Sequence, residues 1–471
     1  MSHDSPTPMD NSPAMHYIRH LAGYPNPNNT NPGTVSMGVP LDQLPLWDDI
    51  LLLPAQVGNR KPLLGIYHPP IAPNPPIPQS ARLFFEEQTK AYQRVGKEVI
   101  LGQGEHALKL ETPLLISDMS FGSLSDIAKY ILATGAEEAG TAICSGEGGI
   151  LDIEANANSR FILQVGTAEF GLTLNNLNKY KDRIKAVHFK GGQAAKTGTG
   201  GLLPAEKITD TIREARGLGD HIGDVHSPAT FLGRTSTTDM VHFKEQIMQA
   251  LGKTVPFGYK LSANHIEADI DFALAIGCDY IILDGRGGAT GAAPAYFRNH
   301  ISIPTIPALA RARRHLDAQD PKKHGHVKLI ITGGLRVPAD FVKALALGAD
   351  AVALSNSVLW AMGCIARRKC YDNQCPVGIA TQDPNRIAKL LEKGTRGNKV
   401  DKQYIKQVKN FLEASVKEMQ TLAAACGLTH LNQLSRYDIA TFNRELAYLA
   451  GVPYAGVGEL TLASQMPPPA P

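Results

Sequence analysis

The sequence predicts an α/β protein built on a (β/α)8 barrel, a TIM barrel, with an N-terminal extension and a C-terminal helical segment. Three observations predict it. Eight short, apolar, β-branched runs recur between residues 114 and 356, each closing on Gly, Ser, Thr, Asp or Asn. Several are followed by apolar residues at three- and four-residue spacing. Together the units occupy about 250 residues, the usual size of such a barrel.

Taken in order, residues 1–36 are rich in Pro, Asn, Ser and Gly. A segment of that composition buries little and is expected to be disordered. Residues 37–111 read as an extension packing on the barrel. Within it, Trp47–Ala55 looks ordered, and His68–Pro78 is a second Pro-rich stretch. The barrel is expected over 112–385. Its strands are Leu114–Ser120, Ala142–Gly149, Phe161–Thr167, Ala186–Gly192, Phe257–Ser262, Tyr280–Gly285, Lys328–Gly334 and Ala351–Asn356. Apolar runs bounded by turn residues read as strands buried on both faces.

Helical periodicity follows over Ser125–Ala139, Ile266–Ile276 and Ala339–Leu347. Pro338 suits a helix start and Gly277 and Gly348 suit helix ends. A doubly wound sheet is the rival arrangement. The long connection from Gly192 to Phe257 suits a barrel, which carries such insertions on its functional C-terminal face. In 386–460, Ile405, Val408, Leu412, Val416, Met419 and Leu422 form a helical stripe. Ser435 and Asp438 have capping-box spacing before a predicted helix ending at Gly451. Residues 461–471 form a Pro-rich tail.

Composition narrows the class. The chain has 471 residues, 43% hydrophobic and 19% charged, with six cysteines. That excludes a chain disordered throughout and a disulfide-stapled secreted module. The apolar runs fall far short of the ~20 residues a spanning helix needs. A net charge of +3 with pI about 8.4 is too balanced to indicate nucleic acid or an anionic membrane. No signal-peptide pattern opens the sequence, so the cytoplasm is the expected compartment.

Three groups of residues carry chemistry. Cys364, Cys370 and Cys375 follow the eighth strand at C-x5-C-x4-C spacing, and Pro376 follows the last. A loop of that length brings three sulfurs to a common point, and soft thiolates suit iron. Three ligands favour a three-iron cluster, or a four-iron cluster with one foreign ligand. Three unligated thiols are the plain alternative. A zinc site would want a fourth thiolate or a His, and the loop has no His.

The second group is the glycine-rich strand ends. Gly333 and Gly334 close strand seven, and Ser355 and Asn356 close strand eight. In barrels those two loops often hold a phosphate, which fits a mononucleotide such as FMN. Ordinary tight turns are the alternative. No G-x-G-x-x-G opens a helix in an early βαβ unit, so a Rossmann reading fails. The third group is lysines. Lys190, Gln193 and Lys196 follow strand four. Lys260 lies inside an apolar strand, where it must reach the mouth or pair with a charge.

The carrying segments are Trp47–Gln56 (WDDILLLPAQ), Met119–Ser125 (MSFGSLS), Ser145–Gly149 (SGEGG), Gly192–Gly198 (GQAAKTG), Gly287–Pro294 (GGATGAAP), Thr332–Arg336 (TGGLR) and Cys375–Gln382 (CPVGIATQ). On these, the chain resembles the FMN-binding synthase domain of glutamate synthase, especially its short stand-alone form, from about Trp47 to about Gly456. The resemblance implies FMN and a 3Fe-4S cluster. It implies reductive amination of 2-oxoglutarate, or a related 2-oxo acid, by hydride transfer from reduced FMN to an imine. Electrons would come through the cluster from an external donor, a ferredoxin or an NAD(P)H-dependent reductase subunit.

By matched motif, Met119, Ser120, Ser145, Gln164, Lys190, Gly288, Gly333, Gly334, Ser355 and Asn356 are implied to bind FMN. Cys364, Cys370 and Cys375 are implied to hold the cluster. Lys190, Gln193 and Lys196 match a K-x-x-Q-x-x-K pattern around flavin and substrate. Lys260 matches a lysine near the oxo acid, where it would hold a carboxylate or donate a proton.

The sequence departs from the long enzymes in three places. Ser2 follows Met1 where a glutaminase domain would begin with a nucleophilic Cys, so ammonia is expected to come free, from an amine, or from a separate supplying subunit. Asp224–Thr235 and Ser262–His265 differ near the substrate, which leaves open another amine or imine as substrate. A catalytically silent electron-transfer subunit of a larger complex is the alternative from another class, and self-association is compatible with either. An IMP dehydrogenase-like barrel would need a Cys in the loop Arg286–Pro294, which has none.

Overall fold

The computed structural model describes residues 13–23, 47–54, 95–290, 293–392 and 399–457. Before the barrel come β1 (Ile50–Leu52) and the antiparallel hairpin of β2 (Val99–Leu101) and β3 (Leu108–Leu110). The barrel strands are β4 (Leu114–Ile116), β5 (Ile162–Val165), β6 (Ala186–Lys190), β9 (Phe257–Ser262), β10 (Tyr280–Asp284), β11 (Lys328–Thr332) and β12 (Ala351–Leu354). The short pair β7 (Leu202–Leu203) and β8 (Val225–His226) lies in the insertion. The seven barrel strands are parallel, in the order β4-β12-β11-β10-β9-β6-β5.

Residues 142–144 close the ring between β4 and β5. Ile143 bridges Ile116 and Cys144 bridges Ile162, both in parallel sense. Four backbone hydrogen bonds hold this eighth stave: Ile116 N–H to Ala142 O, Cys144 N–H to Ile116 O, Ser145 N–H to Ile162 O and Ile162 N–H to Ile143 O. Closure excludes the doubly wound sheet, which has two free edges. Every residue of β9 and β10 is buried. That is the double-sided burial the continuous apolar runs predict.

The helices follow from their caps. Helix Asp126–Glu138 starts at Ser125, whose Oγ accepts the Ala128 N–H. Helix Ile266–Ile276 ends on Gly277 at φ +80°. Pro338 stands at the first position of helix Pro338–Ala346. The predicted stripe becomes helix Lys402–Ala425, with Ile405, Val408, Leu412, Val416 and Met419 buried. This helix lies close on Asp126–Glu138. A Cβ on Gly135 would stand 2.6 Å from a Val408 methyl.

Two expectations are corrected. The segment 1–36 is not disordered throughout: Pro13–Leu21 is a helix. Its Ala14, Met15, Ile18 and Leu21 recur at helical spacing and are buried against helices Asn356–Ala361 and Lys402–Ala425. Residues 1–12 and 24–36, the Pro-rich stretch 68–78 and the tail 461–471 lie outside the described residues. The capping box of Ser435 and Asp438 is present but starts only a single turn, Arg436–Asp438. Ile439–Thr441 then forms β13, paired antiparallel with β1. The helix itself is Arg444–Ala450, capped by Asn443. The β-branched Ile439 and Thr441 suit a strand, and that pairing prevails over continued helix. Among the described residues no helix is long and apolar enough to cross a membrane.

Candidate functional site

The barrel's C-terminal mouth opens into a cavity of about 480 Å³. Strand register explains its charge. Lys190 on β6 and Lys260 on β9 stand directly opposite one another. Like charges in that position repel unless acids intervene. Each lysine has one.

Lys260 is 3% exposed. Its Nζ donates to Asp118 Oδ2 at 2.6 Å, and Asp118 Oδ1 lies 2.9 Å from His188 Nε2. Burial alone would raise Asp118, but Lys260 and His188 hold it well below the usual carboxylate range. Burial alone would lower Lys260, but Asp118 and Asp284 raise it above its ordinary value, so it keeps its proton. Beneath this pair, Gln164 Nε2 and Cys144 Sγ also approach His188 Nε2, at 2.9 and 3.7 Å. Tyr280 Oη lies 3.3 Å from Nδ1.

Lys190 lies 3.2 Å from Glu147. Burial would raise Glu147, but Lys190, Lys196 and Arg216 keep it low. Lys196 is pushed down to about 8 by burial and by Lys190, with Glu147 opposing. Below these groups the fully buried Lys129 ties the strand ends together. Its Nζ donates to Met119 O at 2.6 Å and Ser145 O at 2.9 Å, and pairs with Glu154 at 2.6 Å.

Among the described residues, eight cationic side chains and three carboxylates line the cavity. Among the described residues, six on its wall carry buried polar atoms without hydrogen-bond partners: Gln164 Oε1, Arg216 Nε, Asp284 Oδ1, Thr290 Oγ1, Arg298 Nε, and Nε and Nη2 of Arg336. Such atoms are costly unless something fills the space. Burial pushes Asp284 up, with Lys260 and the Ala194 N–H pulling back. Burial lowers Arg336 to about 10, with Asp340 opposing.

The backbone beside Arg336 leaves room for an occupant. Gly333 and Gly334 stand at φ +112° and +87°. A Cβ on Gly333 would lie 2.7 Å from Gly285 O. Gly333→Ala should therefore cost about 1–3 kcal/mol of stability, read by urea titration. An unchanged midpoint would show that the turn tolerates a side chain. An acceptor, a carboxyl and a guanidinium with two N–H groups to spare around a glycine cradle fit FMN, whose ring offers an N–H and whose tail is a phosphate.

The cysteine loop follows helix Asn356–Ala361. Ala366, Arg368 and Asn373 all adopt left-handed backbone, at φ 52°, 55° and 56°. Three non-glycine residues of this kind in eight positions mark a tightly wound, strained loop. The Ala366 N–H donates to Cys364 Sγ at 3.4 Å. Burial pushes Cys364 up to about 12, and charge on Cys370 and Cys375 adds to the rise. Burial also raises Cys370, with Cys375 adding. Thiols close enough that charge on one raises the next fit a metal cluster, whose iron would stabilise them as thiolates.

A tighter group also exists. Ligand atoms of Asp118, Cys144 and His188 lie within 4.8 Å of one another. Lys260 already neutralises that carboxylate, which makes the group a poor cation site. In a polynuclear cluster each thiolate binds its own iron, so the sulfurs there stand further apart.

The cavity wall brings together Met119, Ser120, Gln164, Lys190, Gln193, Lys196, Lys260, Gly288, Gly333, Gly334, Ser355, Asn356 and Cys370. Ser145 is not on that wall. Its Oγ donates to Gly146 O at 2.9 Å and accepts the Gln164 N–H at 3.0 Å, so it braces Gln164 from behind. Cys364 and Cys375 are not on that wall. Sequence reasoning missed Asp118, His188, Glu147, Asp284 and Arg336. A usable signal was available: Asp118 and His188 are polar residues set inside apolar strand runs, where charge needs a partner.

Comparison with known proteins places the chain among relatives. A family model described as a conserved region in glutamate synthase matches residues 45–429. An archaeal-type glutamate synthase (NADPH) of Thermotoga neapolitana is 36% identical over 330 residues, 69% of this chain and 62% of its own length. An archaeal glutamate synthase (NADPH) of Methanocaldococcus jannaschii is 32% identical over 359 residues, covering 76% and 67%. A glutamate synthase large subunit-like protein of Rhizobium meliloti is 30% identical over 432 residues, 88% of each chain. The matched part of this chain thus spans 62% of the Thermotoga relative's length. Among solved structures, a flavocytochrome b2 mutant with pyruvate bound superposes with TM-score 0.49 at 13% identity, covering 90% of this chain and 83% of that one.

Proposed function

The chain belongs to the glutamate synthase family, and from that premise we propose that it is an FMN and iron–sulfur oxidoreductase that reductively aminates 2-oxoglutarate or a related 2-oxo acid. One observation carries the reading. A cavity lined by eight cations and three carboxylates is continuous with Cys370 of the cysteine loop. Its surplus positive charge suits a phosphate-bearing cofactor together with an anionic substrate.

Gly333, Gly334, Arg336, Ser355 and Asn356 would hold the phosphate end of FMN. Gln164, Lys190 and Lys260 would face its ring, and Cys364, Cys370 and Cys375 would hold the 3Fe-4S cluster. Bound there, FMN supplies the hydride and the cluster supplies electrons from an external reductant.

The chain's own residues do the rest. Lys190, Gln193 and Lys196 hold the oxo acid. Lys260, kept charged by Asp118, fixes positive charge at the cavity floor. Lys196, at about 8, is protonated at neutral pH yet gives its proton readily. It serves as the acid that lets the carbinolamine hydroxyl leave as water, forming the imine. The insertion and the cysteine loop wall the cavity and keep out water that would hydrolyse that imine.

Anaerobically purified protein should show a flavin band with a broad iron–sulfur shoulder. With chemically reduced ferredoxin and ammonia it should turn over one or more members of a 2-oxo acid panel. Spectra without turnover on any of them would favour the silent-subunit reading. Turnover only on other amines or imines would move the substrate assignment. The pH profile is a further expected result. A lysine lowered to about 8 loses its proton as pH rises through that value, so kcat/KM should fall above about pH 8. Lys196→Met should remove that limb and lower kcat throughout. A wild-type limb surviving in the variant would take the acid role from Lys196.

A further inference from the structure

Cationic side chains reach the cysteine loop from outside it and bind its backbone carbonyls. Lys207 Nζ donates to Cys370 O at 2.8 Å and to Ser123 O at 3.1 Å. Arg19 Nη2 donates to Cys364 O at 3.2 Å. Arg386 Nη1 and Lys389 Nζ donate to Gln374 O and Pro376 O, at 2.7 and 2.6 Å. The last two sit near the surface, where solvent screens them. Lys207 does not: it is 2% exposed.

A buried ammonium is unfavourable unless an anion answers it. Lys207 Nζ is held by carbonyl oxygens, one of them that of Cys370, which sets its charge beside the sulfur loop. Lys207 also lines the cavity. It therefore stands where the cavity wall meets the cysteine loop. The insertion delivers it there, on the single turn Ala205–Lys207 beside β7. Through Ser123 it fastens that loop to the turn carrying Met119 and Ser120.

We propose that Lys207 is the positioning and potential-setting residue of the cysteine centre, clamping Cys370 to the barrel mouth and supplying the positive charge that clustered thiolates require. Arg19 does the same more weakly at Cys364. It comes from helix Pro13–Leu21, outside the region 45–429 that the family shares. The inference rests on the reading above that the three cysteines hold an iron–sulfur cluster. One-electron reduction of such a cluster adds one negative charge and breaks no bond, so a fixed buried cation favours the reduced form.

The test is redox titration of anaerobic holoprotein with mediator dyes and dithionite, followed by EPR, with iron and sulfide measured per chain. Lys207→Met should keep its iron and shift the oxidised-to-reduced ratio at fixed poise at least tenfold toward oxidised, about 59 mV for one electron. Lys207→Arg should restore the wild-type midpoint. Arg19→Met should shift it less, in the same direction, and Lys389→Met should leave it unchanged. Iron-loaded Lys207→Met with a wild-type midpoint would overturn the proposal. So would loss of iron in Lys207→Arg as well as Lys207→Met, since charge would then not be what the position supplies. Wild-type protein without iron would instead sink the cluster reading itself.

Discussion

Asp118→Ala should abolish turnover and destabilise the fold by about 3–5 kcal/mol, because it strands a buried charge. Lys260 is 3% exposed and its ion pair with Asp118 is 2.6 Å long. Without the carboxylate, the ammonium must either lose its proton or draw water into the barrel. Lys260→Met should fare almost as badly, leaving Asp118 without its strongest counter-charge. The double variant Asp118→Ala, Lys260→Met removes both charges together. It should recover most of the lost stability and none of the turnover, so the two losses are strongly non-additive. Urea unfolding of the four proteins, with turnover measured on each, gives the cycle. Additive losses would mean that the two groups do not act as a pair. Recovered turnover in the double variant would remove Lys260 from the chemistry.

The second large effect concerns the loop after helix Asn356–Ala361. Cys364→Ser, Cys370→Ser and Cys375→Ser should each lose the iron–sulfur EPR signal and most of the bound iron. Serine oxygen is a harder donor and a poorer ligand for the cluster iron. Cys278→Ser and Cys426→Ser should keep both, since those thiols are buried elsewhere in the core. The flavin band should persist in all five, because the phosphate-end residues are untouched. Turnover driven by an external donor should fail in the first three alone. An unchanged EPR signal in any of those three would remove that cysteine from the ligand set.

Much of this architecture was legible before any coordinates. Strands buried on both faces announce themselves as unbroken apolar runs, and Gly277 and Pro338 mark helix ends by backbone geometry alone. The eighth stave was legible in kind but not in length: residues 142–144 hold the ring by isolated bridges, where the sequence suggested a strand reaching Gly149. Helix Pro13–Leu21 was hidden by its surroundings. Its apolar residues have helical spacing, but the Pro- and Asn-rich context outweighed four positions. Lys260 was found because a cation inside an apolar strand is conspicuous, and Lys190 and Lys196 because they follow a strand end; Lys207 was not found. The acids of the site were not found either, although Asp118 lay inside a predicted apolar run: Asp118 and Glu147 reach the lysines through side chains from other staves, which only the closed barrel brings together. Ser145 was misplaced for a related reason. A motif marks a neighbourhood, and whether a side chain faces the cavity or the wall behind it depends on one rotation of the backbone.

The close seating of Lys402–Ala425 on Asp126–Glu138 has a practical consequence. With glycine at 135 the two backbones approach nearer than a methyl group allows, and Ile131 and Leu132 join Val408, Phe411 and Leu412 in one apolar mass. A border drawn near residue 385 is therefore a convenience of description. A shortened gene product stopping there would leave wet grease along one flank and would be recovered, if at all, from the insoluble pellet.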